Sequence, residues 1–134
     1  ENFIADAKKA VLEYERYMAK FAFHQCTYVL DSYIRNGSKY MSKALNNVNQ
    51  DKKQALANLF YIIRIAGILL HPLAPFGTEK LCEYLQVDES IWSWNTVFEP
   101  LTYFTGKNHK LKFLPPRTDF FTRHESQFSK TDEN

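Results

Sequence analysis

Two cysteines, four glycines and five prolines in 134 residues leave little with which to staple, bend or interrupt a chain. Cys26 and Cys82 have neither a CxxC spacing nor histidines at ligand distance, so no metal site and no disulfide framework is indicated. Both read as small buried hydrophobes. The longest apolar run, Ile65 to Leu70, falls far short of the roughly 20 residues a bilayer demands. The opening ENFIADAKKA also lacks the basic start, apolar stretch and cleavage site of a secretory signal. The expectation is a cytoplasmic protein with no membrane partner. Phosphate loops, HExxH and GxSxG are missing as well, and His24, His71, His109 and His124 are dispersed. Glu13 and Glu15 read as solvated charges on the polar side of a helix rather than as a general acid. Catalysis within this chain is not expected.

Aromatic side chains are plentiful, with 11 Phe, 8 Tyr and 2 Trp. The 45% hydrophobic and 24% charged residues are ordinary for a globular chain, long enough to bury one real core. The net charge of +2 implies no partner by itself, but it is unevenly placed. Residues 32–64 carry six basic side chains against Asp51, residues 65–100 carry Lys80 against five acids, and residues 101–130 return to six basic against two acidic. Two basic zones flanking an acidic one point to a polyanionic partner, or else to solvated helix faces.

Periodicity divides the chain into helices. Ile4, Ala7, Val11, Tyr14, Met18 and Phe21 recur at spacings of three and four, which places them on one helical face. A second helix is predicted from about His24 to Leu45, its apolar series running from Cys26 through Tyr33, Ile34, Gly37, Tyr40 and Met41 to Ala44. Gly37 inside it allows a kink or a close helix contact. Asp51, with Gln54 three positions on, has the form of a cap with a reciprocal partner and starts a third helix that ends at Leu70. Apolar residues cover more than one stripe of that helix, which should therefore be surrounded by the others. Arg64 within it is expected to snorkel or to pair with an acid. Pro72 and Pro75 close one helix and permit the next, Pro75 to Leu85.

From Val87 on, no helical period remains; Lys110–Phe113 alternates and could form a short strand. The expected architecture is all-α: a bundle of four main helices with an irregular C-terminal tail. One helical domain spans 1–126 and a frayed tail 127–134. Within the irregular stretch, Trp92 and Trp94 stand two residues apart, after acidic Asp88 and Glu89 and before the basic tail. An unstacked RNA base lies readily on an indole while Lys and Arg neutralise its phosphates. The alternative is that one or both tryptophans plug the open end of the bundle.

Together these segments resemble the anticodon-binding helical-bundle domain of methionyl-tRNA synthetases, over about Ala7 to Asp119. The matching pieces are Tyr14-Glu15-Arg16-Tyr17-Met18-Ala19-Lys20-Phe21-Ala22-Phe23-His24, Ser38-Lys39-Tyr40-Met41, and the run from Asn58 through Arg64 to Leu70-His71-Pro72-Leu73-Ala74-Pro75. Thr78-Glu79-Lys80-Leu81 follows, then a tryptophan six residues before Pro100-Leu101, then Leu114-Pro115-Pro116-Arg117-Thr118-Asp119, which is similar to the family's Leu-Phe-Pro-Arg-Ile-Asp closing motif. Pro115, Thr118 and Ser38 depart from the usual Phe, Ile and Asn. Lys39-Tyr40-Met41-Ser42-Lys43 looks like the mobile ATP-binding signature of the catalytic domain, but it lies inside a periodic helix with Tyr40 and Met41 expected in the core.

The resemblance implies recognition of the tRNA(Met) anticodon stem-loop, with Trp94 stacking on an anticodon base and Trp92 as its neighbour and second candidate. Arg35, Lys39 and Lys43 on one polar helix face, together with Arg117, would contact phosphates. It further implies that an Asn and an Arg on a helix before Glu1 share the reading. The chain is thus expected to be a fragment of a methionine-tRNA ligase, with ATP and the ligation chemistry in a catalytic domain that is absent here and is the fragment's partner. The chain itself would hold no cofactor. A helical protein-interaction module that no longer binds tRNA is the rival reading, and a small metal-free enzyme with an internal pocket is a third.

Overall fold

The computed structural model describes residues 2–104. Four helices follow one another: α1 (Phe3–Met18), α2 (Phe23–Asn46), α3 (Lys52–Leu70) and α4 (Pro75–Leu85). Three short 3-10 turns come next, at Glu89–Trp92, Trp94–Thr96 and Leu101–Tyr103. This is the all-α bundle expected from periodicity, with an irregular segment after α4. The proposed strand Lys110–Phe113, the Leu114–Asp119 motif and the tail 127–134 lie outside the described residues. α1, α2 and α3 pack on one another, and α4 and the following turns close against α3.

The core is the inner faces of the first three helices: Ala7, Val11 and Tyr14 from α1, Cys26, Leu30 and Tyr33 from α2, and Ile62, Ile65, Ile68 and Leu69 from α3. Cys82 of α4 joins them, so both cysteines are buried. The α1 stripe does not continue to Phe21 as its spacing predicted. α1 stops at Met18, and Ala22 N–H donates to Tyr17 O while Phe21 N–H donates to Met18 O. That hydrogen-bond pair is a Schellman ending, whose left-handed residue is usually glycine. Here it is Phe21, at φ 54° and 80% exposed.

The same pattern ends α4, with Gln86 at φ 54°, Gln86 N–H on Glu83 O and Val87 N–H on Cys82 O. Among the described residues the glycines lie inside helices instead, and two of them, Gly37 and Gly67, admit a neighbour. A Cβ on Gly37 would fall 2.7 Å from Ile62 Cγ2. α2 runs unbroken through Gly37, which serves the close helix contact.

Asp51 caps α3 as expected, accepting from Lys53 N–H at 2.9 Å and Gln54 N–H at 3.5 Å. The reciprocal half of the cap is not formed, because the Gln54 amide donates to Asn58 Oδ1 at 2.8 Å instead. Lys52 folds back over the preceding turn, and its ammonium donates to the carbonyls of Ala44, Leu45 and Asn47 at 3.1–3.2 Å. It thereby satisfies the open end of α2.

Length and composition alone would let α3 span a bilayer. Its buried face is nevertheless the centre of this bundle, and it includes a guanidinium. α3 is also less wrapped than expected. Ile34 and Met41 of α2, predicted to face the core, instead line an open apolar groove of about 150 Å³ with Leu59, Ile63 and Ala66. Met41 is 43% exposed there. Only α1, α2, the short α4 and the turns after it pack on α3, which leaves its second apolar stripe uncovered among the described residues.

Candidate nucleic-acid interface

Arg64, Gly67 and His71 stand at i, i+3 and i+7 and share one face of the third helix. Each holds part of the segment after α4. Gly67 makes room for an indole: a Cβ there would lie 2.3 Å from Trp92 Cζ3. The His71 ring stacks on Trp92, with centroids 6.3 Å apart and planes 21° from parallel. Its Nδ1 is 2.7 Å from Thr78 Oγ1, and that hydroxyl donates to Pro75 O at 2.8 Å. Since the hydroxyl proton is committed to the carbonyl, Nδ1 is the donor to Thr78, which ties the Pro72–Pro75 elbow to the indole.

Arg64 is 1% exposed. Its Nη1 donates to Thr96 O at 2.9 Å, and its Nη2 donates to Val97 O at 2.9 Å and to Glu99 O. The guanidinium carbon lies 4.8 Å from the Phe104 ring centroid and 5.8 Å from that of Tyr61. Desolvation lowers its pKa from the usual arginine value. The expectation that Arg64 snorkels or pairs with an acid is therefore corrected: the charge is buried, and main-chain carbonyl dipoles with two aromatic rings stabilise it. This role was missed because the partners lie 32 to 35 residues downstream. One signal was available: Phe60, Tyr61, Gly67 and Ile68, at three and four positions to either side, include no acid.

The same segment separates the two tryptophans. Trp92 is 8% exposed, seated between Gly67 and His71, and lacks the open face that a stacked base requires. Its place in the core is that of a packing residue. Trp94 is 37% exposed and its ring lies 6.2 Å from that of Tyr14, tilted by 37°. Tyr14 backs the indole from the core side; sequence reasoning placed it on the core stripe but not beside Trp94.

The basic candidates are not gathered around Trp94. Tyr14 meets α2 at Cys26, whose Sγ lies 3.8 Å from Tyr14 O. Arg35, Lys39 and Lys43 follow on the exposed side of α2, about 14 to 26 Å farther along the helix axis at its standard rise. Arg35 is ion-paired to Asp31 at 2.7 Å, with both side chains largely exposed. Lys39 borders a cleft of about 240 Å³ with Phe3, Asp6, Tyr33, Asn36 and Tyr40. Asp6 and Lys39 share this cleft without an ion pair between them, so it adds no acid–base couple to the reading as an enzyme. Arg117 lies outside the described residues. Arg35, Lys52 and Arg64 are among the basic residues in 32–64 that engage protein oxygens, which reduces the charge this zone can offer a polyanion.

Over residues 1–113 the chain matches the family described as the anticodon-binding domain of tRNA ligase. It belongs to that family. The anticodon-binding domain is also 24% identical over 140 residues to the methionine–tRNA ligase of Caldanaerobacter subterraneus subsp. tengcongensis, an alignment covering 99% of this chain. It spans 22% of the length of that curated relative. No solved structure matches it. For an anticodon-binding domain the exposed Trp94 and the polar row on α2 are chemically apt. An indole face accepts an unstacked base, and a line of cations accepts a phosphate backbone.

Proposed function

We propose that this domain reads the anticodon loop of tRNA(Met), as the non-catalytic part of a cytoplasmic methionine–tRNA ligase whose catalytic domain binds ATP and performs the ligation. The observation that carries the reading is Trp94. It presents an open indole face at the α1–α2 end of the bundle, with Tyr14 behind it and its main chain fixed from α3. The loop sits on Trp94, and the stem backbone runs along α2 past Arg35, Lys39 and Lys43, with Arg117 as a further phosphate contact. The separation of about 14 to 26 Å between indole and cations suits one base with a stretch of stem better than a single compact nucleotide. The methionine branch is favoured by the tryptophan ahead of Pro100-Leu101, by the Pro116-Arg117 pair, and by likeness to the methionine–tRNA ligase.

The test is binding of a CAU anticodon stem-loop and of a scrambled loop to the wild-type chain and to Trp94→Ala. Tighter binding of CAU is expected, with a loss for Trp94→Ala of about 1 to 3 kcal/mol on the CAU loop alone. Equal affinity for the two loops, or no effect of Trp94→Ala, sinks the specific reading.

The rival, a helical protein-interaction module that does not bind tRNA, draws on the open apolar groove of Ile34, Met41, Leu59 and Ile63. Binding that barely responds to salt would favour it, because phosphate contacts fall steeply with salt.

A further inference from the structure

The most unusual group in the molecule is a fully buried arginine whose hydrogen bonds all go to main-chain oxygens of one short segment. That segment begins with Trp94. Val97 N–H donates to Trp94 O at 3.2 Å and Thr96 N–H donates to Ser93 O at 3.3 Å, which closes the turn that carries the indole. Glu99 N–H adds a bond to Thr96 O at 3.0 Å. Arg64 donates to three carbonyls of this segment, adding a second bond to that of Thr96 and taking those of Val97 and Glu99. From guanidinium to indole there are only two hydrogen bonds, Arg64 to Val97 O and Val97 N–H to Trp94 O.

We propose that Arg64 is a positioning residue for RNA reading: it fixes the Trp94–Glu99 turn so that the indole is held against Tyr14 with its other side open to an anticodon base. This rests on the assignment of Trp94 as the stacking residue. Arg64 touches no RNA in this arrangement. Its contribution is to order, before binding, a short turn that otherwise has its own hydrogen bonds, the buried Val97 side chain and the Trp94–Tyr14 contact. Planarity and several donors in a fixed fork let one side chain reach three carbonyls, which an ammonium on a flexible stem does not reproduce. Trp92 is held independently, by Gly67 and His71, so it serves as an internal reference.

The experiment replaces both tryptophans of the chain with 5-fluorotryptophan and follows the two fluorine resonances, Trp94 being the one lost in Trp94→Phe. Arg64→Met is expected to move the Trp94 resonance toward that of the free amino acid and to leave the Trp92 resonance in place. Affinity for the CAU stem-loop is expected to fall about tenfold, and adding Trp94→Ala to Arg64→Met should cost little more. An unmoved Trp94 resonance, a shift of both resonances together, or fully additive losses for the two substitutions overturns the proposal. Should Arg64→Met not fold, Arg64→Lys is put through the same measurements, with the same outcomes deciding. The fluorine readout needs no RNA. A wild-type chain that fails to discriminate loops therefore overturns the anticodon reading, while the clamp stands or falls on the resonances.

Discussion

Tyr14 is buried against the core side of Trp94, and its hydroxyl has no hydrogen-bond partner among the described residues. Burial pushes its pKa from 10 up to about 12, with Cys26 adding to the rise. Tyr33, whose hydroxyl is likewise without a partner, is raised too, mainly by burial. A phenol held neutral in the fold binds its proton more tightly there than in the unfolded chain. Stability is therefore intact below pH 10 and falls as pH rises from 10 toward 12. Tyr14→Phe removes both the unsatisfied hydroxyl and the titration. It is expected to be neutral or stabilising by up to about 1 kcal/mol at pH 7 and to flatten the alkaline fall in melting temperature. Urea melts at pH 7 together with thermal melts between pH 9 and 12 check this, and a loss of more than about 1 kcal/mol at neutral pH would show that the hydroxyl has a partner in solution. The periodicity of the chain identified Tyr14 as a core residue, but not that its hydroxyl would go without a partner. Whether a buried hydroxyl finds an acceptor depends on atoms from elements distant in sequence.

Helix positions were legible because burial of one face repeats every three to four residues and the α3 and α4 caps are local chemistry. Asp51 and Pro75 mark their helix starts within a residue. One ending was not legible: at the end of α1 the left-handed position that normally carries glycine is filled by Phe21, whereas α4 ends at Leu85 as expected although Gln86 fills the same position. Glycine instead serves the close contacts, and Gly67 is the sharper case. Gly67→Ala gains up to about 1 kcal/mol of helix propensity, but it drives a methyl into the Trp92 ring. The expected net loss is about 1 to 3 kcal/mol, with a shift in the emission of the buried indole. Unchanged stability by urea titration would mean that the Trp92 seat is looser than the 2.3 Å approach implies. The tryptophan pair illustrates the limit of sequence reading for the site. Two indoles two residues apart look alike in sequence, and only the i, i+3, i+7 stripe of α3 decides which one is buried.

For the whole molecule, a formal charge of +2 says less than where the cations go. Arg64 and Lys52 hold main-chain carbonyls and Arg35 holds Asp31, so these three are expected to add little to the salt sensitivity of RNA binding. Lys39→Ala combined with Lys43→Ala should lower affinity for any stem-loop and reduce the slope of log affinity against log salt by about 1 to 2. Loop discrimination should be unaffected. A slope that does not change would remove α2 from the phosphate path. The polyanion reading drawn from zone charges therefore counts more cations than stand ready for phosphate, because sequence does not reveal which are already engaged.

The Arg64 clamp also sets an order of events during synthesis. Arg64 emerges from a ribosome 32 to 35 residues ahead of the carbonyls that receive it. Until Thr96 to Glu99 follow, the face of α3 that will be buried there carries a hydrated cation, and burying it alone would leave that charge uncompensated. The first four helices can form early, but the bundle cannot seal around α3 until the turn bearing Trp94 has been made. The proposed RNA-reading residue thus belongs to the piece that buries Arg64, and a nascent chain that presents Trp94 in place has already sealed this face of α3.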